Sequence, residues 1–341
     1  PQLKGFAATL AFPLAVTAAE YVTFTLNPMG TYGARAYPLH SNLALMQLAS
    51  LTGIWGNSGT DVFAVGYFGN MGISWVSLLH YDGSGFHGWQ VQRHERSVQA
   101  TLEAALSRVA DHTVQVTCAG RTDAGVHAVG QVVHFDTGAR RPERAWTMGV
   151  NSNLPGDVCV TWAREADQDF HARFSARSRT YRYVIHNSGL RSGLLADRAW
   201  WVYRPLDVRR MQLGADHLLG EHDFSAFRAA ECQARSPVRK LLRASVSRRG
   251  RLVFLEVTAN AFLHHMVRNI AGTLVSVGSG QEAPDWVAAV LSCGDRKLAG
   301  MTAPPGGLYF LAVDYGGQLD VPAEDFSGIP GGAARDGPSA L

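Results

Sequence analysis

From Ile73 onward two hydrophobic periods take turns along the chain, and this alternation restricts the fold more than any other feature. Ile73–Tyr81 is apolar with a two-residue alternation, as a largely buried strand is. Ser97 is placed to cap a helix whose apolar positions Val98, Leu102, Ala105, Leu106 and Val109 share one face. Val114–Cys118 and Ala128–Thr137 read as strands around a glycine-containing loop. Further on, Thr180–Asn187 reads as a strand, Val208–Leu219 as a helix, and Leu241–Arg249 with Leu252–Ala259 as a hairpin. Leu263–Val277 and Pro284–Ser292 read as helices and Leu308–Tyr315 as a last strand. Strands that follow one another in sequence, joined by helices, predict an α+β fold with a largely antiparallel sheet.

Composition supports a globular reading. Hydrophobic residues make up 46% of the 341, too many for a disordered chain, while the charged fraction of 17% is low for a soluble domain. Cys118, Cys159, Cys232 and Cys293 lie far apart with no C-x-x-C, which predicts reduced thiols in a cytoplasm rather than disulfides or a zinc site. Only Lys4, Lys240 and Lys297 are lysines among 31 cations. Between Arg173 and Arg251, 17 Arg/Lys face 6 Asp/Glu. Such an excess of planar guanidinium groups suits a polyanion, and it equally suits a solvated arginine-rich surface.

Residues 1–70 differ from the rest, with four charges in all: Lys4, Glu20, Arg35 and Asp61. The uncharged run Phe6–Ala19 is short for a membrane span and is a poor secretion signal. Two stretches, AFPLAVTAAE and LMQLASLTGIWG, faintly resemble the membrane-to-catalytic junction of apolipoprotein N-acyltransferases. No catalytic motif accompanies them, so 1–70 is expected to be an appended or wrongly assigned apolar segment. The stretch 317–341, rich in Gly, Pro and Ala with one Arg against four acids, is expected to be a disordered tail.

Four motifs could carry chemistry. Gly83-Ser84-Gly85-Phe86-His87-Gly88 satisfies G-x-G-x-x-G after a strand, but the next helix starts near Ser97 and not at the glycines. A dinucleotide's pyrophosphate would then lack its helix N-terminus, so a glycine-rich turn presenting Phe86 and Trp89 is expected instead. The loop Gly120–Ala128 sets Asp123 near Arg121 between two strands. Spacing alone leaves Asp123 either a turn residue bonded to backbone or an ionised carboxylate ready to act as nucleophile or base. Arg177–Ile185 places Tyr181 and Tyr183 on one face and Arg182 on the other, fit either for RNA bases or for the core. In Phe262–Ile270 helical spacing puts His264 beside Arg268, with Leu263, Val267 and Ile270 on another side. Adjacent histidines on one helix are not expected to share a metal, and an arginine in an apolar helix needs a carboxylate partner.

Together, YDGSGFHGWQ, GRTDAGVHA, RTYRYVI, FLHHMVRNI and APPGGLYFLAV resemble, in order and spacing, the TruA-type tRNA pseudouridine synthases, over about Met71 to Tyr315. The resemblance implies two related ferredoxin-like halves, 71–178 and 179–316, with a central cleft. It implies isomerisation of uridine to pseudouridine at positions 38, 39 and 40 of the tRNA anticodon stem-loop. By motif, Asp123 matches the essential aspartate, Arg268 its buried partner, and Tyr181 the tyrosine that stacks on the flipped uracil and helps remove the C5 proton. Arg121 would hold the loop against RNA or keep the base extruded, and Leu308 would pack on the base. The family implies a cytoplasmic homodimer acting on tRNA without cofactor or metal, and no membrane association of the catalytic domain. Three other classes remain to be weighed. A non-catalytic RNA-binding module would not need Asp123, a nucleotide-dependent oxidoreductase would need Gly83, Gly85 and Gly88 on phosphate, and a lipid-modifying enzyme would need several long spans.

Overall fold

The computed structural model describes residues 72–322 and Pro330, and the strand backbone at 54–57 and 61–64. The expectations for the rest of 1–70 and for most of 323–341 lie outside those residues. The chain divides into two units, Pro1–Met71 and Gly72–Leu341. In the first, β1 (Ile54–Asn57) pairs antiparallel with β2 (Asp61–Ala64), with Ile54 opposite Ala64.

The second unit is built on one mixed sheet of ten strands. Its strands are β3 (Ile73–Tyr81), β4 (Thr117–Cys118), β5 (His127–Thr137), β6 (Val158–Glu165), β7 (Ser178–Asn187), β8 (Trp200–Val202), β9 (Gly220–Asp223), β10 (Val238–Arg249), β11 (Leu252–Ala259) and β12 (Leu308–Asp314). The order is β6-β3-β5-β12-β7-β11-β10-β9, with β4 on β5 and β8 on β7. All pairings are antiparallel except β5 with β12 and β7 with β8. The fold is therefore α+β with a largely antiparallel sheet, as the periods predict. Strands from 73–165 lie on one side of the parallel β5·β12 seam and strands from 178–314 make up the other. At that seam a side chain on Gly130 would meet the Leu311 carbonyl at 1.9 Å, so only glycine lets the backbones approach.

Among the described residues four α-helices flank the sheet, α1 (Val98–Ala110), α2 (Val208–Asp216), α3 (Met266–Gly278) and α4 (Trp286–Cys293), with a π-helical segment at Ala145–Gly149 that buries Trp146. Ser97 caps α1 by accepting from the Ala100 N–H, and Val98, Leu102, Ala105 and Leu106 are buried on the predicted face. Gly214 of α2 lies between Leu274 of α3 and Val287 of α4. Because strand residues alternate faces, Tyr183 and Ile185 enter the main core while Val184, Phe254, Tyr309 and Leu311 form a smaller cluster on the other face.

Three readings change at their edges. Only Thr117–Cys118 of the predicted strand Val114–Cys118 pairs, because Ser107 Oγ captures the Val114 N–H and Glu103 Oε1 the Val116 N–H. The helix read from Leu263 starts at Met266, since His265 adopts a left-handed conformation at φ 61°. Phe86 and Trp89 are buried rather than presented. Part of the central arginine excess is structural: Arg179, Arg210, Arg228 and Arg248 donate to backbone carbonyls, using the five-donor fork within the protein. Beyond β12, Leu319 and Val321 are half-buried against the core. All four cysteines are free, and no described helix is long and apolar enough to cross a membrane.

Candidate active site

The loop 119–126 joins β4 to β5, and it is fastened from beneath by side chains and from the flank by backbone. Gln131 spans its base, donating through Nε2 to the Gly120 carbonyl at 2.6 Å. Arg179 donates to the Ala119 carbonyl from both Nε and a terminal nitrogen. Thr122 shares a buried 2.7 Å hydrogen bond with the Tyr81 hydroxyl. On the flank, Trp89 N–H donates to the Thr122 carbonyl at 3.0 Å and Gly125 N–H to the Phe86 carbonyl at 3.2 Å.

This explains the glycine motif. Gly88 sits at φ +95°, and a side chain there would come within 2.9 Å of the Thr122 carbonyl. At Gly83 it would lie 2.0 Å from the Val126 carbonyl. These glycines therefore cradle the protein's own loop, a close approach that only a missing Cβ permits, and the space a dinucleotide phosphate would need is taken by that loop.

His127 locks the end of the loop to the second half of the sheet. Its Nδ1 accepts from the Gly83 N–H at 3.1 Å, so Nε2 carries the proton and donates to the Asp197 and Gly306 carbonyls at 2.8 and 3.1 Å. Burial holds the His127 imidazole below its ordinary value, against the pull of those carbonyls and of Asp82. For Asp82, burial alone would raise the carboxyl, but hydrogen bonds from Ser84, with the positive charge of Arg198, hold it below the usual range.

The loop delivers the Asp123 carboxylate, 25% exposed, to the start of α3. His264 Nε2 lies 3.3 Å from Oδ1, and His265 Nε2 and an Arg268 terminal nitrogen each lie 3.4 Å from Oδ2. Arg268 is 13% exposed and is fixed by its Nε, which donates to the Ala303 carbonyl at 2.8 Å. Asp123 is thus the carboxylate partner that an arginine in an apolar helix requires. The histidine reading is corrected: they precede the helix, and the left-handed turn at His265 swings both rings toward one carboxylate, with ring centroids 4.0 Å apart. Burial pushes His265 below its ordinary value, Asp123 opposes this, and Arg268 and His264 add to it.

Tyr181 lines the same region from β7. It is 9% exposed and stands edge-on between Phe262 and Phe310, at 5.0 and 4.9 Å between ring centroids. Burial pushes its phenol far above the ordinary value, with Tyr81 and the Asp123 charge adding to the effect. Leu308 is buried at the start of β12, in register with Tyr183. Arg121 is exposed on the loop, two residues from Asp123. The structure thus joins Asp123 with Arg268 in direct contact and sets the Asp123 charge within reach of Tyr181. It adds His264 and His265, which the sequence showed in the same motif as Arg268 but placed on the helix and not in the turn ahead of it.

A carboxylate held by cation-capable groups beside a recessed aromatic ring can act on a sugar carbon or its proton while a flat base rests on the ring. Comparison with known proteins bears on this. A family model described as tRNA pseudouridine synthase matches residues 78–175 and 215–316. The chain is similar to tRNA pseudouridine synthase A of Coxiella burnetii, 54% identical over 244 residues, covering 72% of this chain and 94% of the relative. Its counterpart from Methylococcus capsulatus is 53% identical over 258 residues, covering 75% and 95%. That from Vibrio parahaemolyticus is 53% identical over 244 residues, covering 72% and 92%. Among solved structures, a Cbf5-Nop10-Gar1 complex aligns with a TM-score of 0.27 at 11% identity, over 69% of this chain and 57% of that one, a likeness too slight to bear on the site.

Proposed function

The chain belongs to the tRNA pseudouridine synthase family, isomerases that convert uridine in tRNA, and from that membership we propose that it acts at positions 38, 39 and 40 of the anticodon stem-loop through Asp123. The observation that carries the reading is the convergence on Asp123 of His264, His265 and Arg268 beside the recessed Tyr181 ring.

The reaction breaks the N1–C1′ bond, turns the uracil and rejoins it through C5, whose hydrogen leaves as a proton. Atoms and oxidation state are conserved, so no co-substrate is required. Asp123 attacks C1′ or removes the C2′ proton to give a glycal; either step needs its carboxylate against the ribose. Arg268, anchored on the Ala303 carbonyl, holds that carboxylate in place. The target base must leave its stack, at a cost of about a few kcal/mol. Stacking on Tyr181 returns roughly 1–3 kcal/mol of this, and Leu308 supplies apolar packing for the base. In this reading Tyr181 also helps to remove the C5 proton, with burial pushing its phenol far above the ordinary value. Arg121, exposed at the loop tip, contacts RNA phosphate or keeps the nucleotide extruded.

We further propose that the protein works as a cytoplasmic homodimer, with one tRNA lying across both subunits. In this reading 71–178 and 179–316 are two related ferredoxin-like halves enclosing the cleft. The seam between β5 and β12, with strands from each range on either side, supports it.

Mapping pseudouridines in an unmodified tRNA transcript after incubation with the full chain tests the position. Modification confined to 38, 39 and 40, lost with Asp123→Asn, is expected. Modification elsewhere in the tRNA would overturn the anticodon assignment.

A further inference from the structure

The turn that precedes α3 gives the site a second capacity. Asp123, His264 and His265 each offer one ligand atom, and these atoms all lie within 4.8 Å of one another. The two histidine nitrogens stand 3.3 and 3.4 Å from the carboxylate oxygens. Those separations are long for a charge-assisted hydrogen bond. His264 faces Oδ1 and His265 faces Oδ2, and each separation is near the edge of a tetrahedron of ligands around zinc, about 3.3 Å for metal–ligand bonds near 2.0–2.1 Å, so a small turn of the carboxylate brings one oxygen to both nitrogens. Two imidazoles and a carboxylate are a donor set for a borderline-soft divalent ion and not for Mg²⁺ or Ca²⁺. With Asp123 25% and His264 36% exposed, the fourth position is open to water.

We propose that Asp123, His264 and His265 form a zinc(II) site which, when filled, withdraws the carboxylate from the ribose and inhibits the enzyme. The metal site follows from the three side chains alone; the inhibition rests on the role given to Asp123 above. Two features tune it. The left-handed backbone of His265 (φ 61°, ψ 4°) is what brings adjacent histidines to one side, an arrangement a continuous helix would forbid. Arg268, 3.4 Å from Oδ2 and anchored by its other nitrogen, keeps a positive charge beside the ion and weakens its binding. Zinc and Arg268 thus compete for one carboxylate.

The test uses the full chain without tRNA, titrated with Co²⁺ as a spectroscopic substitute and with Zn²⁺ by calorimetry. The expected result is one equivalent bound, with the visible spectrum of a four-coordinate cobalt centre. His264→Asn and His265→Asn should each weaken Zn²⁺ binding by more than about 100-fold, beyond the loss of an outer-shell partner. Arg268→Gln should tighten it, a change of sign that misfolding cannot imitate. In a tritium-release assay Zn²⁺ should inhibit the unsubstituted chain at the concentration that fills the site, and a chelator should restore activity. A cobalt spectrum that survives the double histidine substitution, or looser Zn²⁺ binding by Arg268→Gln, would overturn the site. Zinc bound at these residues without inhibition would uphold the site and overturn the role of Asp123.

Discussion

The two sides of the active site are held in different ways. The loop carrying Asp123 is fixed through its backbone: Gln131 and Arg179 from below, Trp89 and Phe86 along the flank, His127 at the end. The facing side, at the start of α3, is anchored by buried Leu263, Met266 and Val267 and by backbone bonds from Ala229 to the His264 carbonyl and from Ala303 to the Arg268 carbonyl, and it reaches the carboxylate only through side chains, two of them from the left-handed turn at His265. Its distances to the carboxylate, 3.3–3.4 Å, leave room for adjustment. On the role proposed for Asp123, the carboxylate has to stay where it is while the base departs, turns and returns. The groups opposing its charge can shift as that charge is used. The anion is therefore built into the sheet, while the cations sit on an element that only abuts it.

That contrast can be broken from either side. Beyond the carboxylate itself, the largest effect is expected at Arg268. Arg268→Gln removes the ion pair and disturbs the Ala303 anchor, and single-turnover isomerisation should fall by about 10²-fold or more, as for a lost charge-stabilising group, with thermal unfolding showing a loss of about 1–3 kcal/mol. Next comes the flank. Gly88→Ala forces a side chain onto the Thr122 carbonyl at a left-handed position, at a cost of about 1–3 kcal/mol. Activity should fall further than stability predicts, because the atom displaced belongs to the residue next to Asp123; equal falls would mean that the loop is not a precise mount.

The sheet side should also be sensitive to acid. His127 is buried and neutral, with its imidazole below the ordinary value near 6.5. As pH falls through that value the unfolded chain takes up a proton that the folded chain declines, so stability drops. Urea midpoints measured from about pH 8 to about pH 5.5 should fall, and less so in His127→Gln. The smallest effect is expected at exposed Arg121. Arg121→Ala should weaken tRNA binding modestly and reduce the salt slope by about 1, leaving the single-turnover rate of bound tRNA nearly intact.

The same contrast separates what the sequence disclosed from what it hid. Asp123 was legible as a carboxylate between strands, and Arg268 as an apolar-helix arginine that needed a partner. Each signal is local and survives without knowledge of the partner. The histidines were misread because Leu263 stays buried and extends the helical period three residues ahead of the helix, hiding the left-handed turn. The glycine motif was legible as a turn and not a phosphate loop, but its purpose, cradling residues 122–126, depends on a contact some 40 residues away. Strand β6 escaped notice as an edge strand with β3 as its one neighbour in the sheet and several exposed positions, and β8 and β9 are too short to show a period. The arginine excess left a polyanion partner and a solvated surface equally open, and several of its guanidinium groups serve carbonyls within the fold, a use that composition cannot distinguish from phosphate binding.

The most direct test of the account is release of tritium from tRNA labelled at uridine C5, by the full chain and by Asp123→Asn, with tRNA binding measured alongside. Joining the sugar to C5 must expel that hydrogen. The account predicts release by the unsubstituted chain, and by the variant a rate lower by at least about 10²–10⁴-fold, as for loss of a positioned acid–base group, with binding retained. Comparable release by a variant that binds equally well would contradict it, and would move the chemistry away from the carboxylate on which the two sides of the site converge.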